Sequence, residues 1–409
     1  MTSKISPLAP RKIKRIRPIG GINVSSTHCG LKKNNKQDLV LIKLDSPGEI
    51  IGLFTNSKTP GEPIVWNKKI HRFGKVSVIL INSGNANVFN GKSGKSSLLK
   101  IVNEISSKLK VPKKHIYIAS TGVIGEPLDE KKIIKQIPVL ISNLQNDCNS
   151  WLEAAKAITT TDTFPKTHSE IFFKKRDIII NGIAKGSGMI APNMATMLAF
   201  IFTNLDFKRE DCSQKFREIV NKTFNSITVD GDTSTSDMIL LFSVNYNKNS
   251  IKLNNENRKK FFYHLENLTS KLAEYIVKDG EGASKFLKIK IKGAQSINDA
   301  KQIGKSIANS PLFKTAMSGS DSNWGRIIMA VGKSGAKLDP EKLTLKFGKF
   351  IILQKGKKLN LTYINLINKY LKQSEIEIIV DLNIGVYEWS TWTCDFTKEY
   401  VSINTDYRS

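Results

Sequence analysis

The chain has 409 residues, with 63 lysines and arginines against 36 aspartates and glutamates, for a formal net charge of +27. Hydrophobic residues at 40% and aromatics at 8% exclude a disordered chain and supply enough apolar material for two lobes around a large core. The excess charge is mostly lysine, spread from end to end rather than gathered in a stripe, which is the pattern of a solvated basic surface and argues against nucleic-acid binding as the function.

Taken in chain order, the N-terminal stretch MTSKISPLAPRKIKRIRP is basic but lacks the apolar core and small-residue cleavage site of a secretory signal. A cytoplasmic protein is expected. KVSVILIN (75–82), HIYIAS (115–120) and RDIIIN (176–181) are predicted strands, with β-branched residues in short apolar runs. GKSGKS (91–96) looks like the end of a phosphate loop, but Phe89 stands where the loop's first glycine belongs. A second Gly-Lys-Ser (332–334) has Ile327 at that place, so both are read as surface turns. After a glycine-rich turn at 185–188, the apolar run 197–202 predicts another strand, followed by a helix over 209–224 and a strand over 238–246. In 257–278, Phe261, Leu265, Leu268, Leu272 and Ile276 recur at helical spacing and predict an amphipathic helix. FLKIKIKGA (286–294) alternates apolar residues with lysine, as a half-exposed strand does. Further helices are expected at 298–310, 323–332 and 361–372, with a strand over 375–382. Strands and helices mix without a strict βαβ rhythm, so the fold class is layered α/β. Cys29, Cys148, Cys212 and Cys394 are scattered, with no Cys-x-x-Cys. Reduced, mostly buried thiols are expected, and neither a zinc site nor a disulfide framework.

One residue in this series poses a question. Thr196 stands at the mouth of the apolar run 197–202, just after KGSGMIAPNMA. It is either a β-branched residue opening a strand or a hydroxyl placed to react. A threonine hydroxyl needs a base before it attacks, and the five histidines give no local support for a triad. Cutting the chain before the threonine supplies one, because the new α-amine has a pKa of about 7.7 to 8.0, whereas a lysine at about 10.4 stays protonated.

AKGSGMIAPNMATMLAF resembles the self-cleavage motif of the ornithine acetyltransferase family, the glutamate N-acetyltransferases of arginine biosynthesis. NSGNAN (82–87), STGVIGEPL (120–128), TTDTFPK (160–166), VDGDTSTSDM (229–238), DGEGASK (279–285), SDSNWGR ending at Arg326 and the C-terminal WTCDFTKEYVSINTDYRS match in order and rough spacing. The resemblance covers nearly the whole chain. Ser322 departs from the family's usual proline, Ser236 from its common asparagine, and VFN (88–90) from a small-residue turn. None of these falls on a residue the family uses for chemistry.

The resemblance implies an αββα-type sandwich with a self-cleaved N-terminal threonine nucleophile. The Ala195–Thr196 bond would be cut, giving an α chain of 1–195 and a β chain of 196–409, assembled as a heterotetramer of two of each. Thr196 would attack the acetyl group of N2-acetyl-L-ornithine, Thr121 and Gly122 would hold the oxyanion, and L-glutamate would then take the acetyl group. Thr160, Lys185, Glu281, Asn404 and Ser409 match substrate contacts. No metal or organic cofactor is implied, and some family members also accept acetyl-CoA as a co-substrate. An N-terminal-nucleophile aminopeptidase or amidase, in which water takes the acyl group, shares the same chemistry; Lys185, Glu281 and the tail favour an amino-acid acceptor over it.

Overall fold

The computed structural model describes residues 4–33, 35–174, 176–191, 197–244, 251–359 and 364–406. Its main sheet draws on β1 (Ile22–Thr27), β2 (Leu39–Phe54), β3 (Lys75–Asn85), β4 (Ile116–Val123), β5 (Lys166–Lys174), β6 (Arg176–Lys185), β7 (Leu198–Thr203) and, beyond the short β8 (Leu205–Asp206), β9 (Met238–Ser243). The strands pair in the order β4-β3-β2-β9-β7-β6-β5, with β1 on β2. β8 pairs instead with β10 (Ile251–Lys252).

β2 is the pivot. Its first half pairs with β1 and β3 and its second half with β9, and the register shifts between Lys43 and Gly48. The sheet thus has two halves, each with an outer face of its own. Leu39, Leu41, Val78, Leu80, Ile116 and Ile118 form one core with residues such as Leu98, Ile101, Ile133 and Ile137. Those last four belong to α2 (Gly91–Leu109) and α3 (Glu130–Ser142), which follow α1 (Glu62–His71). On the other half, Ile180, Ala199, Ile201, Ile239 and Leu241 pack with residues of α5 (Arg209–Lys222) and α6 (Asn255–Lys278). A third core joins alternate residues of both halves, among them Val40, Ile42, Ile79 and Ile81 with Phe200, Phe202, Leu240 and Phe242. It also takes in Ile64 of α1 and Trp151 of α4 (Cys148–Ala157). The layers therefore run helix, sheet, sheet, helix. β7 and β9 are buried on both faces, which is why they read as unbroken apolar runs.

A second sheet of order β14-β13-β12-β15-β11-β16 follows. It comprises β11 (Phe286–Ala294), β12 (Thr344–Phe347), β13 (Phe350–Gln354), β14 (Lys357–Lys358), β15 (Glu375–Asp381) and β16 (Tyr387–Cys394). α7 (Ile297–Ala308), α8 (Pro311–Ser318), α9 (Trp324–Gly332) and α10 (Ile364–Leu371) supply residues to its core, and α11 (Lys398–Thr405) ends the described chain. No described helix is long and apolar enough to cross a membrane.

The five stripe residues expected along 257–278 are all fully buried in α6. GKSGKS corrects the sequence reading: it is the opening of α2 rather than a surface turn. The reason lies downstream, where Leu98, Ile101, Val102 and Ile105 carry a buried helical stripe that extends back to Gly94. The second Gly-Lys-Ser does end a helix and turn, with Lys333 as the C-cap of α9.

Candidate active site

A cavity of about 290 Å³ opens where β4 and β6 end and β7 and β9 begin; Thr121, Gly122, Thr160, Lys185, Glu281 and Asn404 all line it. At the end of β4 the ladder to β3 is irregular, with Asn85 opposite both Thr121 and Val123. Gly122 has φ +130°, and a Cβ there would lie 2.3 Å from the carbonyl carbon of Gly84 and 2.6 Å from the nitrogen of Asn85. A residue with any side chain would force the strands apart, so glycine is required at this approach. The adjoining turn is clamped by Ser120 Oγ, which donates to Asn82 Oδ1 at 2.6 Å, and by Asn82 Nδ2, which donates to the Asn85 carbonyl at 2.8 Å.

Lys185 ends β6 and joins two of the other groups. Its Nζ donates to Thr160 Oγ1 at 2.8 Å and to Thr121 Oγ1 at 3.2 Å. Burial pushes the pKa of this ammonium below the usual lysine value, and the charge of Asp162 opposes that fall. The neighbouring Thr161 turns to a different partner, with its Oγ1 2.7 Å from Ser187 Oγ.

Glu281 approaches from the loop after α6. Its backbone N–H donates to the Ser187 carbonyl at 3.1 Å, and Asn404 Nδ2 of α11 donates to its Oε2 at 2.8 Å. A Cβ on Gly188 would stand 2.5 Å from the Glu281 carboxylate. The second glycine of the KGSG turn is therefore what lets this acid reach the cavity. Burial pushes the Glu281 carboxyl up from its ordinary value. The tail thus reaches the cavity as a helix, α11, whose start is capped by Thr397.

Ala195, Thr196 and Ser409 lie outside the described residues. Met197, which follows Thr196 in the sequence, lines the cavity, and its carbonyl accepts the N–H of Met238 at 2.9 Å.

Three acids at or beside the cavity escaped the sequence reading. Asp230 accepts the N–H groups of Met189 and Ile190, at 2.6 and 2.9 Å, and so braces the glycine-rich turn where Met189 has φ +56°. Asp237 lines the cavity at 3% exposure, and its buried Oδ2 has no hydrogen-bond partner among the described residues. Burial pushes that carboxyl well above its ordinary pKa, which favours its uncharged form. Asp162 lies behind Lys185 with its side chain fully buried. All three fall inside motifs quoted from the sequence, VDGDTSTSDM and TTDTFPK. An acid embedded among turn-forming hydroxyl residues was the available signal.

A hydroxyl beside a glycine in a tight turn can present two donors to a developing oxyanion. A cation across from a carboxyl in one small cavity can hold the two ends of an amino acid. The sequence profile of the ArgJ family matches residues 23–409. The chain is 41% identical to the arginine biosynthesis bifunctional protein ArgJ of Bartonella quintana (strain Toulouse) over 414 aligned residues, covering 100% of both chains. It is 40% identical to the protein of the same name from Brucella suis biovar 1 (strain 1330), again with full coverage of both. A crystal structure of arginine biosynthesis bifunctional protein ArgJ from Bacillus halodurans aligns at 34% identity and TM-score 0.47, over 51% of this chain and 98% of that one. With its family profile matched almost end to end and full-length relatives at this identity, the chain belongs to the ArgJ family and is an acyltransferase of arginine biosynthesis, a glutamate N-acetyltransferase.

Proposed function

We propose that the acetyl group passes from N2-acetyl-L-ornithine to L-glutamate through an acetyl-Thr196 enzyme. The observation that carries this reading is the junction at Lys185, whose ammonium bridges Thr121 and Thr160 in a cavity that Glu281 and its partner Asn404 also line. In this scheme the Thr196 hydroxyl first attacks the Ala195 carbonyl. The acyl group shifts from nitrogen to oxygen, and water hydrolyses the ester, leaving an α chain of 1–195 and a β chain of 196–409. The freed α-amine then serves as base when the hydroxyl attacks the acetyl carbonyl of acetylornithine. Thr121 Oγ1 and the Gly122 N–H donate to the oxyanion. The C–N bond breaks, ornithine leaves with the proton on its amine, and glutamate enters the same cavity. Its free amine attacks the acetyl ester to give N-acetylglutamate and the free threonine. Lys185 holds the substrate carboxylate, Glu281 with Asn404 holds an ammonium, and Thr160 and Ser409 complete the contacts. The scheme needs no metal or organic cofactor. Acetyl-CoA serves as a second acetyl donor, the cut chains assemble as a heterotetramer of two α and two β chains, and the enzyme works in the cytoplasm.

Denaturing mass spectrometry of the purified protein tests the cut: two fragments meeting at Ala195–Thr196 are expected. Incubation with acetylornithine, with and without glutamate, tests the acceptor. Formation of N-acetylglutamate is expected, with slow turnover when glutamate is absent. Release of free acetate at the same rate without glutamate would replace transfer by hydrolysis, the aminopeptidase-like outcome.

A further inference from the structure

Behind Lys185 lies a group of charges that the reaction scheme does not use. Lys166 Nζ donates to Asp162 Oδ1 and to Asp279 Oδ2, both at 2.6 Å, and all three side chains are fully buried. With both acids ionised, two carboxylates and one ammonium carry a net charge of −1; burial pushes the Asp279 carboxyl up, while against burial Lys166 and Lys185 hold the Asp162 carboxyl below its ordinary value. The second cation beside them is Lys185.

The hydrogen bonds run in the same direction. Asp162 Oδ1 accepts the N–H of Gly186, the residue after Lys185, at 2.7 Å. Asp162 Oδ2 accepts the N–H of Thr160 at 3.0 Å, and the Thr160 hydroxyl in turn receives Lys185 Nζ. One carboxylate therefore holds the main chain at Lys185 and the residue that orients its head. Asp279 reaches other parts: it accepts the backbone N–H of Thr163 at 2.9 Å, takes the Thr163 hydroxyl as well, and lies two residues before Glu281. Among the described residues, the charged or titratable groups that act on Lys185 are Asp162 from the loop before β5, Lys166 of β5, Asp237 before β9 and Glu281 after α6, with Lys32 of the N-terminal region beyond them. Of these, Asp162 is the strongest influence that favours the charged lysine; burial disfavours it.

We propose that Asp162 is a positioning residue for acetyl transfer: its carboxylate fixes Lys185 through Gly186 and Thr160 and supplies the negative charge that balances the substrate-holding ammonium. This rests on the reading of Lys185 as the cation that binds the substrate carboxylate. A buried salt bridge that served only the fold would need Asp162 to pair with Lys166 alone. The two backbone donors from Gly186 and Thr160 go beyond that need.

The test is the pH dependence of acetyl transfer in four variants. Lys185→Met sets the baseline and should raise KM for acetylornithine at every pH. Asp162→Asn keeps the shape and leaves Lys166 paired with Asp279. It should raise KM by about tenfold and move the alkaline limb of kcat/KM lower by about one pH unit. The sign follows from losing an anion beside a buried cation: Lys185 then gives up its proton at lower pH. Asp162→Glu keeps the charge but displaces it, and should raise KM while leaving the limb in place. Asp279→Asn removes the other carboxylate, which touches neither Gly186 nor Thr160, and should move the limb less than Asp162→Asn does. A merely structural cluster would lower the melting temperature of Asp162→Asn while KM and the limb stayed as in the wild type, and that result overturns the proposal. An equal limb shift in Asp279→Asn overturns it too. Should Asp162→Asn fail to fold, Asp162→Glu decides: raised KM with an unmoved limb supports the proposal, and unchanged KM overturns it. A normal KM in Lys185→Met would remove the underlying reading of that lysine, and this inference with it. A defective Lys185→Met beside a normal Asp162→Asn would remove the inference alone.

Discussion

The protein buries lysines in two regions and satisfies them by different means. Beside the cavity, Lys166 and Lys185 are 0% and 8% exposed; in the C-terminal lobe, Lys285 and Lys314 are 6% and 1% exposed. Burial is therefore not the difference. Lys166 faces two carboxylates, and Lys185 faces two hydroxyls with Asp162 behind them. Lys285 instead donates to the carbonyls of Met317 and Leu371, at 2.5 and 2.8 Å, and to Ser320 Oγ at 2.6 Å. Those carbonyls belong to the last turns of α8 and α10, the negative ends of the helices. Lys314 donates to Thr393 Oγ1 at 2.8 Å and to the Cys394 carbonyl. Burial pushes both C-terminal ammonium groups below their usual pKa, with Asp395 opposing. Carbonyl dipoles suffice to tie chain segments together. Against burial, two carboxylates in direct contact push Lys166 above the usual lysine value, whereas Lys185, with Asp162 one step behind it, is lowered like the two C-terminal lysines.

The sharpest way to break this comparison is Lys166→Met. It strands two buried carboxylates, and we expect unfolding free energy to fall by about 3–5 kcal/mol, read from the urea midpoint. A loss below about 1 kcal/mol would mean that the two acids share a proton and that the lysine is dispensable. Lys185→Met should act on function instead. Losing a charge-assisted contact to the substrate should lower kcat/KM by roughly 10- to 100-fold, about 1.5–3 kcal/mol, while the urea midpoint holds or rises because a buried charge is gone. Lys285→Met should reverse that pattern. Three acceptors lose their donor, so stability should drop by about 1–3 kcal/mol with KM for acetylornithine unchanged. A raised KM there would show that the C-terminal lobe tunes the cavity.

At pH 5 the smallest effect is expected at Asp237. Its folded pKa lies above the unfolded one, so the native state binds more protons and wild-type stability falls as pH rises above about 4. Asp237→Asn lacks that dependence. At pH 5 its unfolding free energy should lie within about 1 kcal/mol of the wild type's, and the difference should move in the variant's favour toward pH 8, by up to about 1.4 kcal/mol per pH unit while the native carboxyl stays protonated. A variant that lost stability at pH 8 would mean the carboxyl is charged in the native state.

Local pattern made much of this architecture readable in advance. The spacing of Phe261, Leu265, Leu268, Leu272 and Ile276 determined a helix with one buried face, and the apolar–lysine alternation of 286–294 determined a strand with one buried face and one lysine face, exposed at Lys288 and half-buried at Lys290 and Lys292. Such readings succeed because periodicity is set by the backbone repeat and needs no partner. GKSGKS misled for the converse reason: its glycines and serines carry a turn's composition, and only the stripe beginning at Leu98 shows that helix α2 absorbs them. The motif order carried the family and the positions to inspect, but not their meeting. Thr121, Lys185, Glu281 and Asn404 converge because β4 and β6 end at the same edge of a folded sheet while α11 returns across it. Which threonine faces Lys185, that Asp162 stands behind it, and that Asp237 has an oxygen without a partner among the described residues were decided by tertiary packing alone. Charge balance and desolvation depend on neighbours in space, and Asp162 and Asp279, which share one lysine, are far apart along the chain.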